Sequence, residues 1–190
     1  FAAYPSSANF AESRLYVEYQ EDVFVGYRYF ETIPGAAASV CYPFGYGLSY
    51  TTFALSDVRG GMNGAGEIAL SATVTNTGLC AGKYVLQAYV NPPKGRIAKP
   101  ATALVGFAKT RLLEPNESET LTVSFAPYAF ATYDDEGAVR KSAYVLEKGA
   151  YGFRVGENVR ETVNVDYRYE LDDDAILEQL SPKCAPTLLH

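Results

Sequence analysis

Residues 68–78 read IALSATVTNTG, with Ile68, Leu70, Ala72 and Val74 alternating with Ala69, Ser71, Thr73 and Thr75. Successive side chains of a strand point to opposite faces, so this period of two predicts a strand with one apolar and one polar face, closed by the turn residues of NTG. The pattern recurs downstream. Leu121, Val123 and Phe125 alternate with Thr120, Thr122 and Ser124, and Tyr151, Phe153 and Val155 alternate with Ala150, Gly152 and Arg154. Residues 84–90 are apolar on both faces, as expected of a central strand. NPPKG, LEPNES, DDEG and EKG separate these runs with turn-forming residues.

About seven short strands over roughly 100 residues predict an all-β, immunoglobulin-like or fibronectin-III-like β-sandwich over residues 51–157. Leu146, Gly149 and Tyr151 fit a tyrosine corner, in which the Tyr hydroxyl bonds the backbone just upstream. The 190 residues are 48% hydrophobic, enough to bury a core and to hold one domain with attached pieces. Sixteen basic and 22 acidic residues leave a net charge of −6, and the basic residues are scattered, which argues against nucleic acid as a partner. No apolar run approaches the roughly 20 residues that cross a bilayer, so no membrane role is expected.

The flanks differ from the middle. Residues 1–50 are rich in Tyr, Phe, Ala and Gly, with short strand-like runs such as Val23-Phe24-Val25 and no sustained period. Such an aromatic load requires a surface to pack on. In residues 158–190, the alternation of Val163, Val165 and Tyr167 predicts one more strand. DDDAILEQLSPK then predicts a short C-terminal helix, with Asp172–Asp174 at its N-terminus, Ile176, Leu177 and Leu180 on one face, and Pro182 past its end.

Candidate chemistry is sparse. Glycoside hydrolysis needs two carboxylates across one bond, and Glu18, Glu21 and Asp22 are neighbours in sequence with no second cluster converging on them. Pairing with Arg28 or surface solvation is the reading favoured over catalysis. Asp172–Asp174 lack the spaced ligands of a calcium loop and serve a helix N-terminus. Cys41, Cys80 and Cys184 are odd in number and form no CxxC, and the one histidine is His190, so neither a zinc set nor an activated nucleophile is expected. The thiols read as buried or half-buried structural residues. No catalytic, metal or cofactor residue is therefore assigned. The 16 Tyr and 10 Phe suit a core or a domain interface, and exposed ones also suit stacking on sugars.

YQEDVFVGYRYF (residues 19–30) and YPFGYGLSYTTF (residues 42–53), with YPSSANF before them, resemble the C-terminal part of family 3 glycoside hydrolases such as β-glucosidases. VTNTGLCAGKYVLQAYVNPP, KPATALVGFAKTRLLEPNES and KGAYGFRVG continue the likeness through a fibronectin-III-like domain. Asn116 replaces the Gly usual in that family, and Asn tolerates the same left-handed backbone.

The resemblance implies that residues 1–50 are the tail of an α/β sandwich domain plus an interdomain strap, with Tyr19, Glu21, Tyr27, Arg28, Phe44 and Tyr46 as its structural residues. It implies partners as well: the α/β sandwich and (β/α)8 barrel of a parent enzyme, and a β-glucoside substrate reached through that parent. Neither the family's nucleophile nor its acid/base motif occurs here. LEQLSPKCAPTLLH resembles the linker to a barrel in members where the sandwich precedes it. The alternative expectation is a free-standing fibronectin-III-like module that binds carbohydrate or protein.

Overall fold

The computed structural model describes residue 14 and residues 20–183. Ten strands follow in chain order: β1 (Phe53–Met62), β2 (Ile68–Asn76), β3 (Val85–Asn91), β4 (Ala103–Lys109), β5 (Ser118–Phe125), β6 (Thr132–Asp134), β7 (Ala143–Leu146), β8 (Gly149–Gly156), β9 (Thr162–Leu171) and β10 (Ala175–Gln179). They form a three-stranded sheet, β1-β2-β5, a four-stranded sheet, β4-β3-β8-β9, and a small sheet, β10-β7-β6. All neighbouring strands in these sheets pair antiparallel. One α-helical turn, α1 (Tyr27–Phe30), and a 3-10 turn at Ala36–Ser39 precede them among the described residues. Among the described residues no helix is long and apolar enough to cross a membrane.

The alternation seen in sequence is the core. Ile68, Leu70, Ala72 and Val74 of β2 are fully buried and share one face with Leu121, Val123 and Phe125 of β5. From the other sheet come Leu86, Ala88 and Val90 of β3 with Tyr151, Phe153 and Val155 of β8. On the outer face of the β1-β2-β5 sheet Thr73 bonds Thr120 at 3.0 Å and Thr75 bonds Ser118 at 2.8 Å, a polar ladder open to water. Most of the 84–90 run lies in β3, inside its sheet, where residues 86–90 are buried on both faces. Tyr151 closes its corner by donating to the Glu147 carbonyl at 2.9 Å. Asn116 sits at φ +66°, the left-handed turn conformation that Asn tolerates.

Three expectations are corrected. The run from Asp172 to Pro182 holds no helix: Ala175–Gln179 form strand β10 on the edge of β7. Asp174, expected at a helix N-terminus, instead accepts the Lys148 N–H at 2.9 Å and pairs with Arg96. A five-residue strand beside an unpaired edge gains ladder bonds that an isolated short helix cannot match. Val23-Phe24-Val25 is no strand but the end of a turn, with Phe24 N–H donating to the Glu21 carbonyl, leading into α1. Cys41 and Cys80 are exposed free thiols rather than buried ones, and Cys184 lies outside the described residues. Strand β9, beyond residue 157, completes the four-stranded sheet along β8.

Candidate functional site

The outer face of the four-stranded sheet is where sequence and structure converge. In β3 the residues facing away from the core are Gln87, Tyr89 and Asn91, and in β8 they are Gly152, Arg154 and Gly156. Tyr89 is wholly buried although it points out of the sandwich, so something covers it. The cover is residues 20–50.

Both limbs of this strap are pinned to the sandwich. In α1 the Tyr27 hydroxyl accepts the Leu104 N–H at 2.9 Å, and Thr32 Oγ1 accepts the Ala101 N–H at 2.9 Å. Arg160, in the turn between β8 and β9, pairs with Glu31 at 2.8 Å and donates to the Ala37 carbonyl at 3.2 Å. The Phe44 carbonyl accepts the Val159 N–H at 3.0 Å, and the Gly45 carbonyl accepts Gln87 Nε2 at 3.3 Å. Gln87 also reaches the Glu157 carbonyl and takes the Tyr89 hydroxyl at 2.6 Å. Gly45 is required here: φ is +85°, and a Cβ would collide with the Gln87 side chain.

The sequence-predicted strap residues fall into place unevenly. Tyr27 and Phe44 stack on each other with ring centroids 4.3 Å apart. Tyr46 stacks on Tyr42 at 5.2 Å. Glu21 is only 8% exposed, and its Oε2 has no hydrogen-bond partner among the described residues. No ion pair joins it to Arg28, which is exposed. Tyr19 lies outside the described residues. Phe44 is 41% exposed, Tyr46 44%, Leu48 92% and Tyr50 100%, so the strap is anchored from beneath and presents an apolar upper side.

Sequence reasoning missed the residues beneath it. Gln87 is the one polar side chain of the 84–90 run, and Arg154 is a charge inside an alternating strand; both were visible signals of a covered outer face. Glu157 and Glu161 flank the β8–β9 turn. The hydrogen bond that Glu157 shares with Glu161, aided by burial, pushes the Glu157 carboxyl up to about 7. The same shared bond, with the Asn158 amide at 2.8 Å, holds Glu161 below the usual carboxylate range. Two carboxylates in direct hydrogen-bond contact leave no room for a scissile bond, since retaining glycosidases hold theirs about 5–5.5 Å apart. Among the described residues no cluster of His, Cys, Asp and Glu could hold a metal ion.

Comparison with known proteins agrees with this architecture. A profile for the fibronectin type III-like domain matches residues 84–159. β-Glucosidase A of Butyrivibrio fibrisolvens is 49% identical over 98% of this chain, and the match covers 24% of that protein. A β-glucosidase of Ruminococcus albus is 42% identical over 96% of this chain and 19% of its own length. The crystal structure of a β-glucosidase from Paenibacillus barengoltzii superposes with a TM-score of 0.89 at 45% identity, covering 98% of this chain and 21% of the other. The chain thus spans a quarter or less of the length of these relatives.

Proposed function

We propose, for a chain that belongs to the β-glucosidases of glycoside hydrolase family 3 through their fibronectin type III-like region, a non-catalytic role: the sandwich buttresses a larger enzyme and docks its other domains through the strap. The observation that carries this reading is the strap itself. Residues 20–50 are fastened to the sheet by backbone and ion-pair contacts while Tyr42, Phe44, Tyr46, Leu48 and Tyr50 stay exposed on one segment. An exposed aromatic patch held rigidly in place fits a protein surface that covers it. On this reading the partners are the α/β sandwich and (β/α)8 barrel of a parent β-glucosidase, which hydrolyses β-glycosides with retention. Purified chain assayed on an aryl β-glucoside is expected to match a mock-purified control. Turnover well above that control would contradict the role.

One observation favours a second reading, a carbohydrate-binding module. Tyr144 of β7 lies 5.1 Å from Tyr128 and 5.4 Å from Tyr133, both partly exposed, and the Tyr128 hydroxyl donates to Glu178 at 2.6 Å. Rings beside a carboxylate suit a sugar face and its hydroxyls. Saturable tyrosine quenching by glucan oligosaccharides, abolished by Tyr133→Ala, would favour this reading; its absence leaves the buttress.

A further inference from the structure

Beside the strap, the outer face of β8 and β9 opens into a groove of about 1130 Å³. Gly152 lines it, and a Cβ there would meet nothing within 4 Å, so the space beside this stretch of β8 is open. Arg154 lies along it, half-buried. Its Nε donates to Asn91 Oδ1 at 2.9 Å, one terminal nitrogen to Thr162 Oγ1 at 3.2 Å, and the other to Thr102 Oγ1 at 3.1 Å. All three acceptors are neutral. No carboxylate among the described residues lies within ion-pair distance of Arg154, and Glu31, on the groove wall, is paired with Arg160. Burial pushes the guanidinium below its ordinary range. A guanidinium has five N–H donors, so each terminal nitrogen of Arg154 keeps one in reserve.

The hydrogen-bond partners of Arg154 are all neutral, and Glu31, whose charge it does feel, is already committed to Arg160, so the two spare donors can still take a further counter-charge. We propose that the groove is a docking site for a carboxylate, the Asp or Glu side chain of another domain of the parent enzyme, gripped by the two spare N–H groups of Arg154. The planar fork of a guanidinium matches a carboxylate. Glu31, Asp166 and Glu170 line the groove together with Arg160 and Arg168, so the lining has no net positive excess beyond Arg154 and suits a single negative charge better than a phosphate dianion. The source is a protein side chain because the groove adjoins the strap and because the relatives extend over four times the matched length. The inference rests on the buttress reading and names the chemistry of its second contact.

The test uses the 190-residue chain and two probes at constant ionic strength, acetate and glucuronate, with the Nε–Hε resonances of its arginines followed by NMR. Acetate is expected to shift Arg154 saturably, with half-effect at about 10–100 mM, the range of one charge-assisted pair without chelation. Exposed Arg111 should not follow. In Arg154→Gln, the acetate response of the Asn91 and Thr102 amides should vanish. A response of Arg154 no greater than that of Arg111, or reproduced by chloride, overturns the site. Glucuronate binding tenfold tighter than acetate overturns the protein source in favour of an acidic sugar. Failure of the parent reading shows differently, as a native mass near that of this chain with the acetate response intact.

Discussion

Tyr151 and Glu147 show how much a single position can decide. The Tyr151 hydroxyl bonds the Glu147 carbonyl, while the Glu147 side chain, 4% exposed, accepts the backbone N–H of Arg96 at 2.7 Å and of Ile97 at 3.2 Å and pairs with Lys99. Tyr151→Phe is expected to cost about 1–2 kcal/mol in urea denaturation, the worth of one buried hydrogen bond. Glu147→Gln should cost about 3 kcal/mol, because it strands Lys99, only 7% exposed, beside a neutral group. Burial opposes ionisation of Glu147, but Lys99 and the two N–H donors outweigh it and hold the carboxyl below its usual range. Burial likewise opposes Asp134, and four backbone N–H groups from Gly137 to Arg140 outweigh it. Both are depressed in the folded state, so their stabilisation is present above the unfolded pKa of about 4 and is lost as pH falls below it. Urea midpoints should therefore drop between pH 5 and pH 3. The Tyr151 corner and the left-handed Asn116 were legible in sequence because each is a local rule. Glu147 was not, because its partners come from the loop after β3, some 50 residues away.

Among the elements, β2, β5, β8 and β9 were legible from their period of two and β3 from its unbroken apolar run, whereas β1 and β4 carried no such signal and the tail was misjudged. The tail from Asp172 carries helix-capping residues and a helix-spaced apolar set, yet becomes β10 because β7 offers an edge and Asp174 is drawn to Lys148 and Arg96. Local propensity loses to tertiary pairing in such brief segments. The β8–β9 turn carries its own prediction. Glu157 is raised in the folded state, so its stabilisation is complete below about pH 4.5 and is lost as pH rises through about 7. Glu161, depressed, contributes in the opposite sense at lower pH. Glu157→Gln removes the repulsion and should stabilise the chain by about 1 kcal/mol at pH 8, after screening by solvent, with no gain at pH 5. Equal effects at both pH values would dismiss the shared proton. Gly45→Ala, at φ +85° against Gln87, should loosen the strap and raise hydrogen exchange at the Val159 amide, which bonds the Phe44 carbonyl.

For the whole molecule, the sandwich was legible in the alternation, whereas residues 20–50 showed in sequence only as aromatic density in need of a surface, and their reading as an interdomain strap came from the family resemblance. The groove at Arg154 was not legible, since it depends on which strands lie side by side. The strap makes a quantitative prediction about what covers it. Phe44 is 41% exposed here, so Phe44→Ala should cost this chain about 1 kcal/mol, chiefly the stack on Tyr27. In an intact enzyme whose other domains bury that ring, the same change should cost about 2–4 kcal/mol and lower the melting temperature accordingly. Equal losses in both would mean that nothing sits on the strap. The most direct measurement is the denaturing mass of the protein as its own organism makes it. The buttress account predicts a mass several times the 20.7 kDa of these 190 residues. A mass near 20.7 kDa would contradict it and leave a free-standing binding module.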